Sequence, residues 1–523
     1  MQNKACLRLV VNAPVEEAGT PPESAQPLPS AFEAVATASD AEEAFSALRD
    51  WSRSAASLTA PARAVERELL RGGFEVLRRL LEENLRGRGL GDVAPALGLT
   101  EADGTEVRLG YRREHECEYE SYFGTITVRR LGYGAPGQES IHPLDEELSL
   151  PARRYSQVVQ QRAALLAGRG PFGEAHSELE ATTAAHIPLR QVEEVVKDMA
   201  VDFDGYYEER SSQLPAPEET GPIIVVGVDC KGIPRRKTEE ELSKTPKRLG
   251  KGEKRTKKRM ATVASVHTAQ PQVRTAEEVV SNLMDAEDRG REKKPHPRPE
   301  DRRLWASVKK SKDEVFAEMG QEIGRRNPKG DKTVVCVTDG EEALRTRAVK
   351  YLQALFWGLI LVLDIIHVLE YLWKAAYVFE EEGSEEARQW VRKRLLRILR
   401  GEVVGVVAGM RQMATKRKLT AEEREPVDKA CGYFLNNKGR MRYDKYLSLG
   451  LPIASGTAEG ACGHLVRDRM ERTGAIWDVD GDGAEAVLKI RALDKSGDYD
   501  DYCEYHAKKE HDRLYEKEWR LAA

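Results

Sequence analysis

Residues 223–232 read IIVVGVDCKG, residues 332–340 read KTVVCVTDG and residues 359–364 read LILVLD. Each is an apolar run that ends in an aspartate. Strands that are apolar along their whole length are covered on both faces, whereas a half-solvated strand alternates. Between these runs lie helical patterns, EEALRTRAVKYLQALF at 341–356 and IIHVLEYLWKAAYVFEEE at 365–382. MATVASVHTAQ at 260–270 reads as a further strand, and 304–326 reads as a helix. Strands alternating with helices predict a multidomain α/β chain whose central sheet carries helices on both sides. Ligands of such sheets gather at the carboxyl ends of the strands. Asp229, Asp339 and Asp364 stand there.

Working outward from the sheet, 1–30 is rich in Pro, Ala and Ser and is expected to be disordered. A helical module is expected over 31–100, where Leu69, Leu70, Phe74, Leu77, Leu80 and Leu81 recur at helical spacing. A small β-rich segment follows over 101–150. Residues 151–210 read as three helices, compatible with a helix-turn-helix DNA-binding domain whose reading helix carries Arg190; three packed helices with no such role fit the same pattern. The sheet core spans 219–375, a helical insertion 376–450, and residues 451–523 bring LPIASGTAEGACGHLVRDRM and the C-terminal helices.

The chain has 523 residues, 40% hydrophobic and 32% charged, with a formal net charge of −5. That total excludes a protein that is basic throughout, but local patches set the field at a binding surface. One patch stands out. From Arg235 to Arg259 there are twelve Lys and Arg against four Glu, including Arg235, Arg236, Lys237, Lys254, Arg255, Lys257, Lys258 and Arg259. The seven cysteines form no Cys-x-x-Cys pair, so neither a disulfide framework nor a zinc ribbon is indicated. The first residues lack a signal peptide's apolar stretch. The greasiest run, Leu352 to Ile366, is interrupted by Gln353 and Asp364 and is too short to span a bilayer. A cytoplasmic protein without a membrane partner is the expectation.

Two strand-end aspartates and a helical glutamate such as Glu459 would suit magnesium, which takes hard oxygen ligands. Two such ions can activate an attacking oxygen and stabilise a leaving one at phosphorus. The same positions also suit helix caps and turns. Asp339 sits in an Asp-Gly turn pair, and Glu459 has the place of an acid favoured by a helix dipole. Spacing alone leaves both readings open.

GVDCKGIPRRK, VTDGEEALRTRAVKYL, LVLDIIHVLEYLWKAAYVF, LPIASGTAEGACGHLVRDRMERTGAIW and GAEAVLKIRAL resemble successive blocks of the ISKra-type bacterial insertion-sequence transposases. The upstream FGTITVRRLGYG and HPLDEELSLPARRYSQVV resemble that family's N-terminal region, so the likeness runs from about Arg108 to Tyr505. It implies a ribonuclease-H-like core, a mixed sheet with a helical insertion before the glutamate, preceded by a mostly helical DNA-binding region with a small β segment. It implies Asp229 as the first catalytic acid and Glu459 as the last. By analogy with Mutator-like transposases, Asp339 is the second, and Asp364 with His367 is an accessory pair. Asp364 is the rival for the second place.

The implied activity is metal-dependent cleavage at terminal inverted repeats, followed by transfer of the 3′-hydroxyl strand to target DNA. Asp229, Asp339 and Glu459 would hold two Mg²⁺ ions, with Mn²⁺ as the expected substitute in an assay. The partners implied are double-stranded transposon ends and target DNA, and a homodimer or larger homo-oligomer is expected. The basic insertion at 235–259 would grip phosphates without regard to sequence. The alternatives are a domesticated, non-catalytic DNA-binding regulator and a stand-alone ribonuclease-H-type nuclease. DVDGDG at 478–483 lacks the full spacing of a calcium loop and is read as a plain loop.

Overall fold

The structure is a computed structural model that describes residues 30–100, 104–213, 220–244, 256–285, 298–353, 358–516 and 519–521, with the side chains of Gln213 and 457–459 also left out. The expectation for 1–29, and those for Lys254 and Arg255, lie outside the described residues. The chain divides into two compact units, 1–88 and 89–523.

The first unit is helical. Ala31–Ala36, Ala41–Ser52 and Ala55–Thr59 each begin at a side-chain cap (Ser30, Asp40 and Ser54), and Ala62–Gly87 is the long helix. Its small core joins Val35, Ala38, Ala44 and Val76. The long helix forms where the spacing predicts one, but it turns Gly72 and Val76 inward and leaves Leu69, Leu70, Leu77 and Leu80 exposed. Gly72 is the reason this face can approach: a Cβ there would press on Leu48 Cδ1 at 2.6 Å.

The second unit starts with strands β1 (Leu97–Thr100), β2 (Glu106–Leu109), β3 (Tyr111–Ser121) and β4 (Gly124–Gly134). β3 and β4 form an antiparallel hairpin turned at Gly124, whose φ of +113° favours glycine. The central sheet comprises β5 (Ile223–Arg236), β6 (Thr256–Ala269), β7 (Glu300–Ser307), β8 (Thr333–Thr338) and β9 (Ile360–Leu363). Its order is β7-β6-β5-β8-β9. β6 runs antiparallel to both of its neighbours, β5 and β7, while β8 and β9 run parallel to β5. A last strand, β10 (Trp519–Leu521), pairs with β1.

Side-chain alternation along β5 sends Ile224, Val226 and Val228 to one core and Ile223 and Val225 to the other. The first core includes the helices Gln157–Arg169, Phe172–Thr182, Leu189–Asp198, Lys312–Arg326 and Asp482–Ser496. The second includes Ile365–Ala376 and the insertion helices Glu385–Leu399, Val403–Lys416 and Ala421–Asn437. Both sheet edges are covered. Tyr443 and Tyr446 donate their hydroxyls to the β9 carbonyls of Leu363 and Leu361, at 2.7 and 3.3 Å. On the other edge, Leu304 of β7 donates its N–H to Ser496 Oγ at 2.9 Å. Covered edges leave no row of open backbone groups for another chain to pair with.

Four differences from the sequence reading stand out. Residues 300–307 form β7, although a helix was expected from 304. Its polar start, EDRR, holds a buried ion network in which Glu322 accepts from Arg303 at 2.9 Å and from Arg325 and Arg326. The helices within 151–210 pack onto the sheet, with Val159, Leu179, Val192 and Val195 sharing one core with it. β5 does not stop at Asp229, where its apolar run ends, but continues through Pro234 to Arg236, paired with β6 throughout. The C-terminal part ends in β10, a strand where helices alone were expected. Among the described residues, no helix is long and apolar enough to cross a membrane.

Candidate active site

Asp229 stands on the central strand two residues beyond Gly227, the last β5 residue paired with β8. It is still paired with Val263 of β6. Its Oδ1 accepts the Cys230 N–H at 2.6 Å, and its Oδ2 accepts the Cys462 thiol at 3.1 Å. Burial, with the Asp229 charge beside it, pushes the Cys462 thiol well above its ordinary value, so the sulfur keeps its proton and donates.

Asp339 is the first residue after β8. Its Oδ1 accepts the Glu341 N–H at 2.8 Å. Burial raises this carboxyl from its ordinary value; that N–H and His367 oppose the rise, and the charges of Glu341 and Asp229 add to it. Asp229 and Asp339 are therefore near enough to feel each other's charge. The backbone here is fixed from behind. Arg440, from the insertion, donates to Thr338 Oγ1 at 3.1 Å and to the Asp339 carbonyl at 3.3 Å. Gly340 lies flat against Tyr433, itself stacked on Tyr371 with ring centroids 4.0 Å apart, and a Cβ at Gly340 would overlap the Tyr433 ring.

Asp364 has a different environment. It is 0% exposed and caps the helix Ile365–Ala376. Oδ1 accepts the Ile366 N–H at 2.8 Å, and Oδ2 accepts both the N–H (2.9 Å) and the hydroxyl of Ser455. Its own N–H donates to the Thr338 carbonyl at 3.0 Å. Oδ1 thus caps its own helix, and Oδ2 joins the end of β9 to the segment that leads to Glu459. His367, partly exposed on the same helix, pairs with Glu370 at 3.3 Å.

Glu459 lies in the short helix Gly456–Ala461, and its side chain is outside the described residues. Its backbone stands one turn before Cys462, where a π-helical stretch, Cys462–Arg467, continues the rod. Residues three apart on a helix are neighbours on its surface. The thiol that reaches Asp229 thus marks where the helix of Glu459 meets the central strand.

Among the described residues, no group of three or more His, Cys, Asp or Glu is gathered so as to hold a metal ion. Asp229 and Asp339 contribute carboxylate oxygens, the donor type that Mg²⁺ takes, and their mutual repulsion is of the kind that a bound cation relieves.

The basic residues are less open than their sequence run suggests. Arg235 makes a two-pronged pair with Glu241 at 2.8 Å for each prong, and Lys257 joins the same carboxylate at 2.9 Å. Lys258 pairs with Glu471 at 2.9 Å, and Arg259 donates to the Asp480 carbonyl. Arg236 lies at the end of β5, its N–H bonded to the Trp477 carbonyl at 2.9 Å. Lys237 directly follows that strand. Arg190 is exposed on the first turn of Leu189–Asp198. Sequence reasoning missed Cys462, Arg440, Tyr433 and Ser455. Only Cys462 carried a signal, its place three residues after Glu459 in AEGACG.

No family model matches the chain, and no curated protein matches it. Among solved structures, the Drosophila P element transposase strand transfer complex matches at 10% identity with a TM-score of 0.24, over 66% of this chain and 80% of that one.

Proposed function

We propose that this chain is a DNA transposase of the DDE type, similar to the ISKra-type enzymes, with a ribonuclease-H-like core and Asp229, Asp339 and Glu459 as its catalytic acids. One observation carries the reading. Asp229 and Asp339 each stand two residues beyond the paired Gly227 and Val337 on adjacent parallel strands, and the helix bearing Glu459 is tied to the first of them through Cys462. A mixed sheet, helices on both faces and a helical insertion before the glutamate agree with the same reading.

In this reading Asp229, Asp339 and Glu459 hold two Mg²⁺ ions, which supply an activated oxygen nucleophile and neutralise charge on the phosphate. The protein's own groups keep the acids in register. Cys462 orients Asp229 by donating to one oxygen. Arg440 and the Gly340–Tyr433 contact fix the turn that presents Asp339. Asp364, with every oxygen engaged, acts as a positioning residue for the segment before Glu459, and His367 tempers the charge at Asp339. The burial of Asp364 favours Asp339 as the second acid.

Water is the nucleophile in the first displacement, and the freed 3′-hydroxyl is the nucleophile in the second. The ligands are double-stranded transposon ends and target DNA in the cytoplasm, and two ends processed together call for at least two copies of the chain. Arg190 and the basic residues around the end of the β5–β6 hairpin would contact the DNA. The test is cleavage of DNA carrying the cognate terminal repeats in Mg²⁺ or Mn²⁺. Asp229→Ala, Asp339→Ala and Glu459→Ala are each expected to abolish cleavage while leaving DNA binding intact; full activity of any of them overturns the assignment of that residue.

A further inference from the structure

Arg469 is 4% exposed, a cation buried in the protein. Its guanidinium lies against two aromatic rings that meet edge to face, 5.2 Å from the Phe172 centroid and 4.9 Å from that of Trp477. Among the described residues it makes one hydrogen bond, from Nε to the Ala167 carbonyl at 3.1 Å, and no ion pair. Arg491, equally buried, is the contrast: all three of its nitrogens donate to carbonyls, those of Leu465, Gly168 and His464. Arginines are seldom buried so deeply without a partner, and an uncompensated buried charge is costly.

The guanidinium of Arg469 borders a cleft of about 340 Å³ between the start of Phe172–Thr182 and the loop 471–477. Pro171, Phe172, Arg472, Gly474 and Trp477 line it with Arg469, and no lining residue is acidic. At the rim, Arg472 pairs with Glu174 at 3.1 Å, and both side chains are largely exposed, so the pair can exchange partners. Burial and the neighbouring Arg491 and Arg472 lower the Arg469 pKa to about 10, as expected for a cation that lacks an anion.

We propose that this cleft is a phosphate-binding subsite for the DNA backbone, in which the terminal nitrogens of Arg469 and Arg472 donate to the non-bridging oxygens of one phosphodiester. Planar guanidinium groups suit that task better than an ammonium does. The aromatic rings hold the Arg469 plane in place and offer a wall to the adjoining sugar or base. The helical run Gly456–Met470 carries both Glu459 and Arg469. A continuous helical rod, π-helical over Cys462–Arg467, joins the two positions. The subsite would therefore hold the strand at a fixed distance from the chemistry.

The proposal rests on the DNA reading above, and its test separates the two. A fluorescein-labelled duplex of arbitrary sequence is titrated with the full chain across a range of salt concentrations, and binding is read by anisotropy. Arg469→Gln and Arg472→Gln are each expected to weaken binding about tenfold and to flatten the salt dependence by about one phosphate's worth, roughly 0.9 in the log–log slope. Arg469→Lys should recover part of the loss. Arg472 is exposed, so its variant keeps the test valid if Arg469→Gln fails to fold. Wild-type binding with an unchanged slope in both Gln variants overturns the subsite and leaves the DNA reading standing. Failure of the wild type to bind duplex overturns both. A melting shift with inorganic phosphate that Arg469→Gln removes, while duplex binding stays unchanged, identifies a small-anion pocket and overturns the proposal.

Discussion

The Cys462 thiol donates to Asp229 Oδ2 across 3.1 Å, joining residues 233 positions apart in the chain. This contact fixes the meeting of the Glu459 helix with the central strand, and it leads to a first prediction. Cys462→Ala should slow DNA cleavage by roughly tenfold, as a lost hydrogen bond of about 1–1.5 kcal/mol implies. Cys462→Ser keeps a donor and should retain most of the rate. Single-turnover cleavage with the two variants checks this, and equal rates for both would remove Cys462 from the site.

Asp339 and Asp364 should separate cleanly under substitution. Asp364→Ala leaves three partly buried donors unmatched and strips a helix cap, so a loss of stability of about 1–3 kcal/mol is expected in urea melts. Asp339→Asn should leave the fold standing and abolish cleavage.

The pH dependence of the Asp339→Asn variant follows from the raised carboxyl of Asp339. A carboxyl whose folded pKa is raised binds its proton more tightly in the native state. Its cost to stability is absent below the ordinary carboxylate range and fully present once pH exceeds the raised value. Asp339→Asn should therefore be more stable than the wild type at neutral pH, with the gain fading as pH falls through the carboxylate range. Melting temperatures measured from pH 3 to pH 8, roughly the span over which such carboxyls titrate, would show the opposite slope if the proton were held more tightly in the unfolded chain.

Gly340→Ala should cost about 1–3 kcal/mol through overlap with the Tyr433 ring. In a Tyr433→Ala background the same change should cost almost nothing, because contacting residues couple. A double-mutant cycle by chemical denaturation gives the answer, and additive costs would mean that the turn is held by something other than this contact.

Glu322 tests the fold independently of the site. It is buried among Arg303, Arg325 and Arg326, whose charges hold its carboxyl well below the usual range against the opposing effect of burial. Glu322→Ala leaves these cations uncompensated and should cost about 3–5 kcal/mol, a large part of a typical domain's stability. A urea midpoint close to that of the wild type would contradict this.

The strands that build the sheet were legible because burial on both faces leaves a local mark, an unbroken apolar run, at 223–228, 334–337 and 360–363. The strand-end positions of Asp229, Asp339 and Asp364 followed from that mark. β7 was not legible. Its opening residues are charged, because they serve an ion network whose other members lie a helix away. The burial of Asp364 was equally hidden, since its partner Ser455 lies 91 residues downstream. The apolar stripe on the long N-terminal helix predicted the helix correctly, but which face is buried depended on Gly72, whose small size a hydrophobic count ignores. Local patterns reveal elements, and tertiary partners decide which side chains are free to react.

The pairing of β10 with β1 bears on how the molecule is made. Arg520 reaches Thr100 across 420 residues of chain, and Leu521 sits opposite Leu97. During synthesis, one edge of β1 stays open until the ribosome has released residues 519–521, at about 5–20 residues per second. A ribosome that stops short of this strand leaves the edge of β1 exposed, and exposed edges invite aggregation and proteolysis. Completion of the small sheet therefore waits on residues 519–521, although β1 and its other neighbour are made more than 400 residues earlier.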